Sequence, residues 1–353
     1  MKRIGIIGCG KIAQVRHIPE LNANPDAQIV GYYNPTRSRA EEMVAKYGGK
    51  VYDSIDELLA DESIDAVVIS LANVAHAEAS IQALQSGKAV LCEKPMATTL
   101  EECEAMVAAS VKYNKPLMIA QNQRLTKAHE MARQLVAEGR IGRVVSFRTT
   151  FGHGGPETWS INPGKGTWFF DKQKAAMGAM ADLGIHKTDL IQYLLGQNVV
   201  KVKAVLTTLD KTDVSGELIG VDDNAICIYT MEDGAIGTMT VSWTYYGAED
   251  NSSILYGTKG IMRIYDNPSY AIEIICQDGT KEQLDVEPIQ TNDNQTTSGM
   301  SDLFIKVLES GATQEFPISA ASVLPAMRVI FAAIESDREG QEITITENYT
   351  KKI

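Results

Sequence analysis

A chain of 353 residues has room for two domains, each with its own core, and an apolar content of 44% is that of an ordinary globular protein. The formal charge of -12 excludes a general nucleic-acid binder, whose contact face is basic. No apolar run has membrane-spanning length, no signal segment is expected before the first strand, and Cys9, Cys92, Cys103, Cys227 and Cys276 lack a zinc or redox spacing. The expectation is a cytoplasmic protein with reduced thiols, no metal, and no membrane or nucleic-acid partner.

The first part of the chain alternates strand and helix. Ile4–Ile7 is an apolar run that feeds into Gly8-x-Gly10-x-x-Ala13, and a helix begins between Ile12 and Leu21. Gly8 permits a tight turn, Gly10 lets a pyrophosphate approach the backbone, and Ala13 lets the helix pack close to the sheet. The first N–H groups, at Lys11 and Ile12, then face phosphate. A plain glycine turn is the alternative. Strands follow at Ala27–Tyr33, Ala66–Leu71, Ala89–Cys92 and Leu117–Ala120, with helices at Arg39–Lys46, Ile55–Leu59, Ala75–Ser86 and Leu100–Tyr113. Short strands separated by helices predict a parallel sheet with right-handed crossovers.

The pattern changes after residue 120. Helices are predicted at Lys127–Glu138 and Gly178–Leu195, and strands at Val144–Phe151, Val199–Thr208, Ala225–Tyr229, Ile236–Trp243, Ser253–Tyr256, Gly260–Tyr265 and Ile272–Cys276. Glu287–Thr297 reads as an exposed loop, and helices near Ser298–Glu309 and Pro325–Asp337 close the chain. The fold class is α/β: a Rossmann dinucleotide-binding domain over 1–122, then an α+β domain over 123–353 with a large open, mainly antiparallel sheet.

Three segments carry candidate chemistry. After the second strand, Asn34-Pro35-Thr36-Arg37-Ser38-Arg39 lacks the acid that would bind the ribose of NAD and repel the extra phosphate of NADP. Neutral Asn34, with Arg37 and Arg39 as phosphate partners, leans toward NADP and leaves NAD open; the alternative is a turn followed by a solvated helix. Glu93-Lys94-Pro95 follows the strand Ala89–Cys92, where open parallel sheets bind ligands, although a Glu-Lys pair there is also ordinary solvated surface. In Asp182-Leu183-Gly184-Ile185-His186 the spacing of four sets both residues on one helix face, so Asp182 can orient and charge-stabilise His186. An exposed ion pair or a helix cap are the alternatives.

Together with Asn73-x-x-His76, Ser86–Pro95, Glu138–Gly142 and Gly178–His186, these motifs resemble the glucose–fructose oxidoreductase and myo-inositol dehydrogenase family, written Gfo/Idh/MocA. The resemblance implies an NAD- or NADP-dependent interconversion of a secondary alcohol and a ketone on a sugar, cyclitol or related polyhydroxy compound, in a homodimer or homotetramer. It implies Lys94, His186 and Asp182 as catalytic residues. It implies cofactor contacts from Gly8, Gly10, Lys11, Ile12, Asn34, Arg37, Arg39, Leu71, Asn73, His76, Glu93, Lys94 and Asn122. Substrate contacts fall to Lys94, Asp182 and His186, to Arg124 (alternatively a salt bridge), to His153 in a Gly-rich loop, and to Trp168, whose face suits a sugar ring. Leu71-Ala72 and Ala176-Met177-Gly178 depart from the family pattern. An NAD-dependent glycosidase working by transient oxidation and elimination, and a non-catalytic cofactor-binding protein, stay open as alternatives.

Overall fold

The computed structural model describes residues 1–287, 298–346 and 349. The chain divides into two compact units, Met1–Asn122 with Gln290–Leu324, and Gln123–Ile289 with Pro325–Ile353. The loop expected at Glu287–Thr297 lies, apart from Glu287, outside the described residues.

In the first unit β1 (Lys2–Ile7), β2 (Ala27–Tyr33), β3 (Lys50–Val51), β4 (Ala66–Ile69), β5 (Ala89–Cys92) and β6 (Leu117–Ile119) form one parallel sheet, ordered β3-β2-β1-β4-β5-β6. Every residue of β4 and β5 is buried, as expected of strands covered on both faces. The crossovers are α1 (Ile18–Ala23), α2 (Arg37–Tyr47), α3 (Ile55–Ala60), α4 (His76–Gln85) and α5 (Leu100–Tyr113). The helix expected from Ile12 begins there and widens at once into a π-helical turn, Ala13–His17, before α1. Pro19 in the first turn of α1 has no N–H to give the carbonyl four residues back, so the regular ladder fails there. The order reverses between β1 and β4, so the turns after β1, β4 and β5 lie at the carboxyl ends around a topological switch point.

The second unit contains α6 (Lys127–Ala137), β7 (Val144–Gly152), α7 (Lys172–Ala175), α8 (Ile185–Leu195), β8 (Val199–Thr207), β9 (Asn224–Met231), β10 (Ile236–Ser242), β11 (Ser253–Gly257), β12 (Gly260–Asn267), β13 (Tyr270–Cys276), β14 (Lys281–Leu284) and β15 (Ile343–Thr344). Its nine strands are ordered β14-β13-β12-β11-β7-β10-β9-β8-β15, antiparallel except for the parallel pair β7–β10. Ala225, Cys227, Tyr229, Met239 and Val241 fill the inner face, against α8 and the π-helical turn Met180–Gly184 that precedes it. Val205 of β8 and Ile226 and Ile228 of β9 are exposed.

The sequence assigns all of 123–353 to the second domain, whereas Gln290–Leu324 belongs to the first unit. This segment carries α9 (Met300–Ser310) and the start of α10 (Ala320–Glu339). The Glu20 carboxylate accepts N–H bonds from Ser298 (2.6 Å) and Ser301 (3.3 Å), and Ile119 donates its N–H to Ile318 (3.0 Å) beside β6. A buried carboxylate and a sheet-edge N–H both need such partners. Pro325 also lies inside α10 rather than at its start. Ser319 Oγ, which accepts the Ser322 N–H at 3.3 Å, marks an earlier beginning. In the second unit Ser336 and Asp337 of α10 accept the N–H groups of Ala204 (3.0 Å) and Leu206 (2.9 Å), which covers the edge of β8 beyond its short pairing with β15.

Candidate active site

The glycine turn is built for a close approach. Gly8 has φ +100°, and a Cβ there would lie 2.5 Å from the Ser70 carbonyl oxygen, so the chain itself demands glycine. At Gly10 a Cβ would meet only that oxygen, at 3.8 Å. Nothing in the fold requires a bare residue at Gly10, which fits a backbone kept clear for a pyrophosphate. Lys11 and Ile12 are half-buried at the start of the helix.

Asn34 braces this turn. Its Oδ1 accepts the Cys9 N–H at 2.9 Å and its Nδ2 donates to the Thr36 carbonyl at 2.8 Å, which ties the end of β2 to the turn after β1. Arg37, expected as a phosphate partner, is half-exposed and ion-paired. Its guanidinium binds Glu41 at 2.8 Å and also Asp53, which draws it along α2. The Arg39 charge is felt at the Cys9 thiol, where it opposes the burial that pushes the thiol up to about 12.

The turns after β4 and β5 are tied together. His76 is buried, with Nδ1 at 2.8 Å from the Pro95 carbonyl and Nε2 at 3.2 Å from the Leu71 carbonyl. Burial lowers its pKa, and the bonds to the Pro95 and Leu71 carbonyls oppose that shift. His76 thus orders both loops, and Asn73 is buried at the start of the 3-10 turn between them. Glu93 is buried; its Oε1 contacts His17 Nε2 at 2.7 Å and Arg16 at 3.6 Å, and its Oε2 accepts the Lys94 N–H at 3.1 Å. Burial would raise this carboxyl, but the His17 bond and the charges of His17, Arg16 and Lys94 outweigh it and hold it at about 2. The π-helical turn places Arg16 and His17 side by side among its buried residues. Lys94 is half-buried at the carboxyl end of the sheet, its N–H held by the Glu93 carboxylate, and Asn122 is half-buried at the end of the unit's first segment.

In the second unit Asp182 lies in the π-helical turn and His186 in the first turn of α8, both buried. Asp182 Oδ2 accepts the Trp243 indole N–H at 3.1 Å. A continuous row of rings links the expected substrate residues. Phe151 lies 6.1 Å from His186 and 5.9 Å from His153, Trp159 lies 6.1 Å from His153 and 5.2 Å from Phe169, and Trp168 stacks on Phe169 at 3.9 Å. Phe169 meets Trp243 edge-on at 6.4 Å, so the row returns to Asp182. His153 Nδ1 accepts the Gly155 N–H at 3.0 Å, which leaves the neutral ring's proton on Nε2. Arg124 forms the salt bridge given as its alternative role. Its Nε donates to Asp189 Oδ2 at 2.7 Å, and its second nitrogen binds Oδ1 in a two-point pair.

Some residues of this site were not singled out from sequence. Asp189 continues the stripe of Asp182 and His186 at helical spacing, and that signal was available. Trp243 and Asp222 had none, because only the fold aims them at Asp182 and at the start of its turn. Lys187, next to His186, is fully buried, with its ammonium 2.9 Å from the Asn251 carbonyl and 5.9 Å from the Phe151 ring. Among the described residues no group of His, Cys, Asp and Glu could hold a metal.

Residues 2–121 match the family model of the oxidoreductase family with an NAD-binding Rossmann fold, and residues 129–263 match the GFO/IDH/MocA C-terminal domain. The chain is 32% identical to glucose-6-phosphate 3-dehydrogenase of Bacillus subtilis over 64% of its own length and 63% of that protein, just under two thirds of the relative. It is 27% identical to inositol 2-dehydrogenase of Rhizobium meliloti over 97% of its length and 99% of that protein. The crystal structure of an oxidoreductase domain protein from Kribbella flavida superimposes with a TM-score of 0.84 at 25% identity, covering 98% of this chain and 100% of that one. With both of its domains matched by the family's models and with the family's six-stranded nucleotide sheet in place, the chain belongs to the GFO/IDH/MocA oxidoreductases and carries their NAD-binding Rossmann domain.

Proposed function

We propose that this protein is an NAD(P)-dependent dehydrogenase or reductase that interconverts a secondary alcohol and a ketone on a sugar, cyclitol or related polyhydroxy compound. The observation that carries the reading is the aromatic row that joins Asp182, His153 and His186, with Trp168 stacked at its end. Aromatic faces suit the apolar side of a sugar ring, and the carboxylate and imidazole suit its hydroxyls. The names of the relatives support the same substrate class.

The Gly8–Ile12 turn, with Asn73, Glu93 and Asn122, would hold a nicotinamide dinucleotide, which would supply the hydride acceptor or donor. His186 takes the proton of the reacting hydroxyl, or returns it in the reductive direction. The Lys94 ammonium stabilises the alkoxide that forms as the proton leaves. Asp182, fixed by the Trp243 indole, supports the imidazolium. The Glu93 carboxylate stays ionised and holds the Lys94 backbone.

Residues 1–122, with Ser298–Leu324 of the same unit, serve the cofactor, and the second unit serves substrate binding and oligomerisation. The outward Val205, Ile226, Ile228 and Ile236 of the open sheet support a homodimer or homotetramer built on that face. Five free cysteines support a cytoplasmic location, the net charge of -12 speaks against nucleic acid, and no described helix is long and apolar enough to cross a membrane.

Lys94→Ala and His186→Ala are each expected to lower turnover about 100-fold or more, with cofactor affinity by fluorescence titration unchanged. The assay follows nicotinamide absorbance over a panel of inositols, hexoses and lactones. Wild-type turnover in either variant overturns the mechanism.

A further inference from the structure

Asp222, in the loop between β8 and β9, binds three consecutive backbone N–H groups at the start of the Asp182–His186 segment. Its carboxylate accepts from Gly178 at 2.8 Å and from Met180 at 2.7 Å, and its own carbonyl accepts from Ala179 at 2.8 Å. These are the groups that a helix start leaves without intrahelical partners. The approach is so close that a Cβ on Gly178 would lie 1.8 Å from the Asp222 carbonyl oxygen. The next residue completes the arrangement. Asp223 accepts N–H bonds from Leu209, Asp210 and Lys211 at 2.8–2.9 Å, and its carbonyl accepts the Trp243 N–H at 2.8 Å. Trp243 in turn donates to Asp182. One dipeptide therefore fixes Asp182 twice, through the turn on which it stands and through the indole that binds its carboxylate.

We infer that Asp222 is a positioning residue for catalysis: it clamps the entry to the π-helical turn and so sets where Asp182 and His186 present their side chains. The inference rests on the proposed dehydrogenase reading and deepens it. Asp222 touches neither substrate nor cofactor; it acts through the helix start. An asparagine there keeps one side-chain oxygen for one of the two N–H groups, and an alanine keeps none.

The test compares Asp222→Ala, Asp222→Asn, His186→Ala and the double variant Asp222→Ala/His186→Ala, with NADH titration and thermal melting as controls. Asp222→Ala is expected to lose about 100-fold in kcat at unchanged NADH affinity, and Asp222→Asn about 10-fold, a partial rescue. The double variant is expected to be no slower than His186→Ala alone, because both changes disable the same group. Wild-type turnover in Asp222→Ala, or a double variant slowed by the full product of the two single losses, overturns the inference. Should Asp222→Ala not fold, Asp222→Asn alone and in the His186→Ala background carries the same two criteria. Wild-type turnover in His186→Ala instead overturns the dehydrogenase mechanism itself, so the two failures are distinct.

Discussion

At the scale of single residues, the two arginines after β2 divide by their partners. Arg37 is held by Glu41 and Asp53, and the Arg39 charge reaches Cys9. Removing a charge-assisted contact to phosphate costs about 1.5–3 kcal/mol, so Arg39→Ala is expected to weaken NADP binding about 10-fold or more and to leave NAD unchanged. Arg37→Ala is expected to shift both by less than about twofold. Dissociation constants for the two cofactors decide it; equal losses in both variants would refute the division. Lys187 gives a second residue-scale expectation. Burial lowers its ammonium from 10.5 to about 7, with Asp250 and Glu249 opposing. Above pH 7 the folded state releases this proton while the unfolded chain keeps it up to its ordinary value. Stability from this group therefore rises with pH between about 7 and 10 at up to ~1.4 kcal/mol per unit, and is flat below 7. Urea melts at pH 7 and 9 measure the slope, and Lys187→Met is expected to remove it.

At the scale of elements, the segment leading into the Asp182 turn carries backbone strain. Ala176 ends α7 at φ 61° and ψ -39°, a conformation an L-residue adopts only at a cost of about 1–2 kcal/mol. Ala176→Gly is expected to raise stability by about 1 kcal/mol with turnover retained, read by thermal melting and initial rates. Gly178→Ala, two residues on, is expected to do the opposite and lower both, because the added carbon collides with Asp222. The contrast also explains what the sequence could and could not disclose. β4 and β5 are legible because strands buried on both faces must be apolar throughout. β3 and β15, each of two residues, and the polar β14 offer no such pattern. The Asp182–His186 spacing and the Gly8 turn are legible because local geometry alone requires them. The π-helical turns are not, since a widened turn leaves the residue pattern unchanged. The clamps on Asp182 and Lys94 come from Asp222, Trp243, Arg16 and His17, whose aim is set by tertiary structure.

At the scale of the whole molecule, the open sheet of the second unit leaves Val205, Ile226, Ile228 and Ile236 more than half exposed. A protein with that face covered by a second copy is expected to show a light-scattering mass of a whole multiple, two or four, of 38.5 kDa at micromolar concentration. Ile226→Lys combined with Ile228→Lys is expected to yield the monomer with cofactor affinity intact. A wild-type monomer would exclude this use of the face. The return of Ser298–Leu324 to the first unit bears on how the chain is made. A ribosome adding about 5–20 residues per second needs roughly 10 to 40 s to travel from the end of β6 to this segment. Throughout that interval the nascent nucleotide sheet has its Ile119 N–H unsealed and its Glu20 carboxylate waiting for the amides of Ser298 and Ser301. The first unit begun is therefore still incomplete when its sheet has been made: its last structural partners are synthesised only after Gln123–Ile289, and a polypeptide halted before them emerges with an open sheet edge that invites chaperones or neighbouring chains.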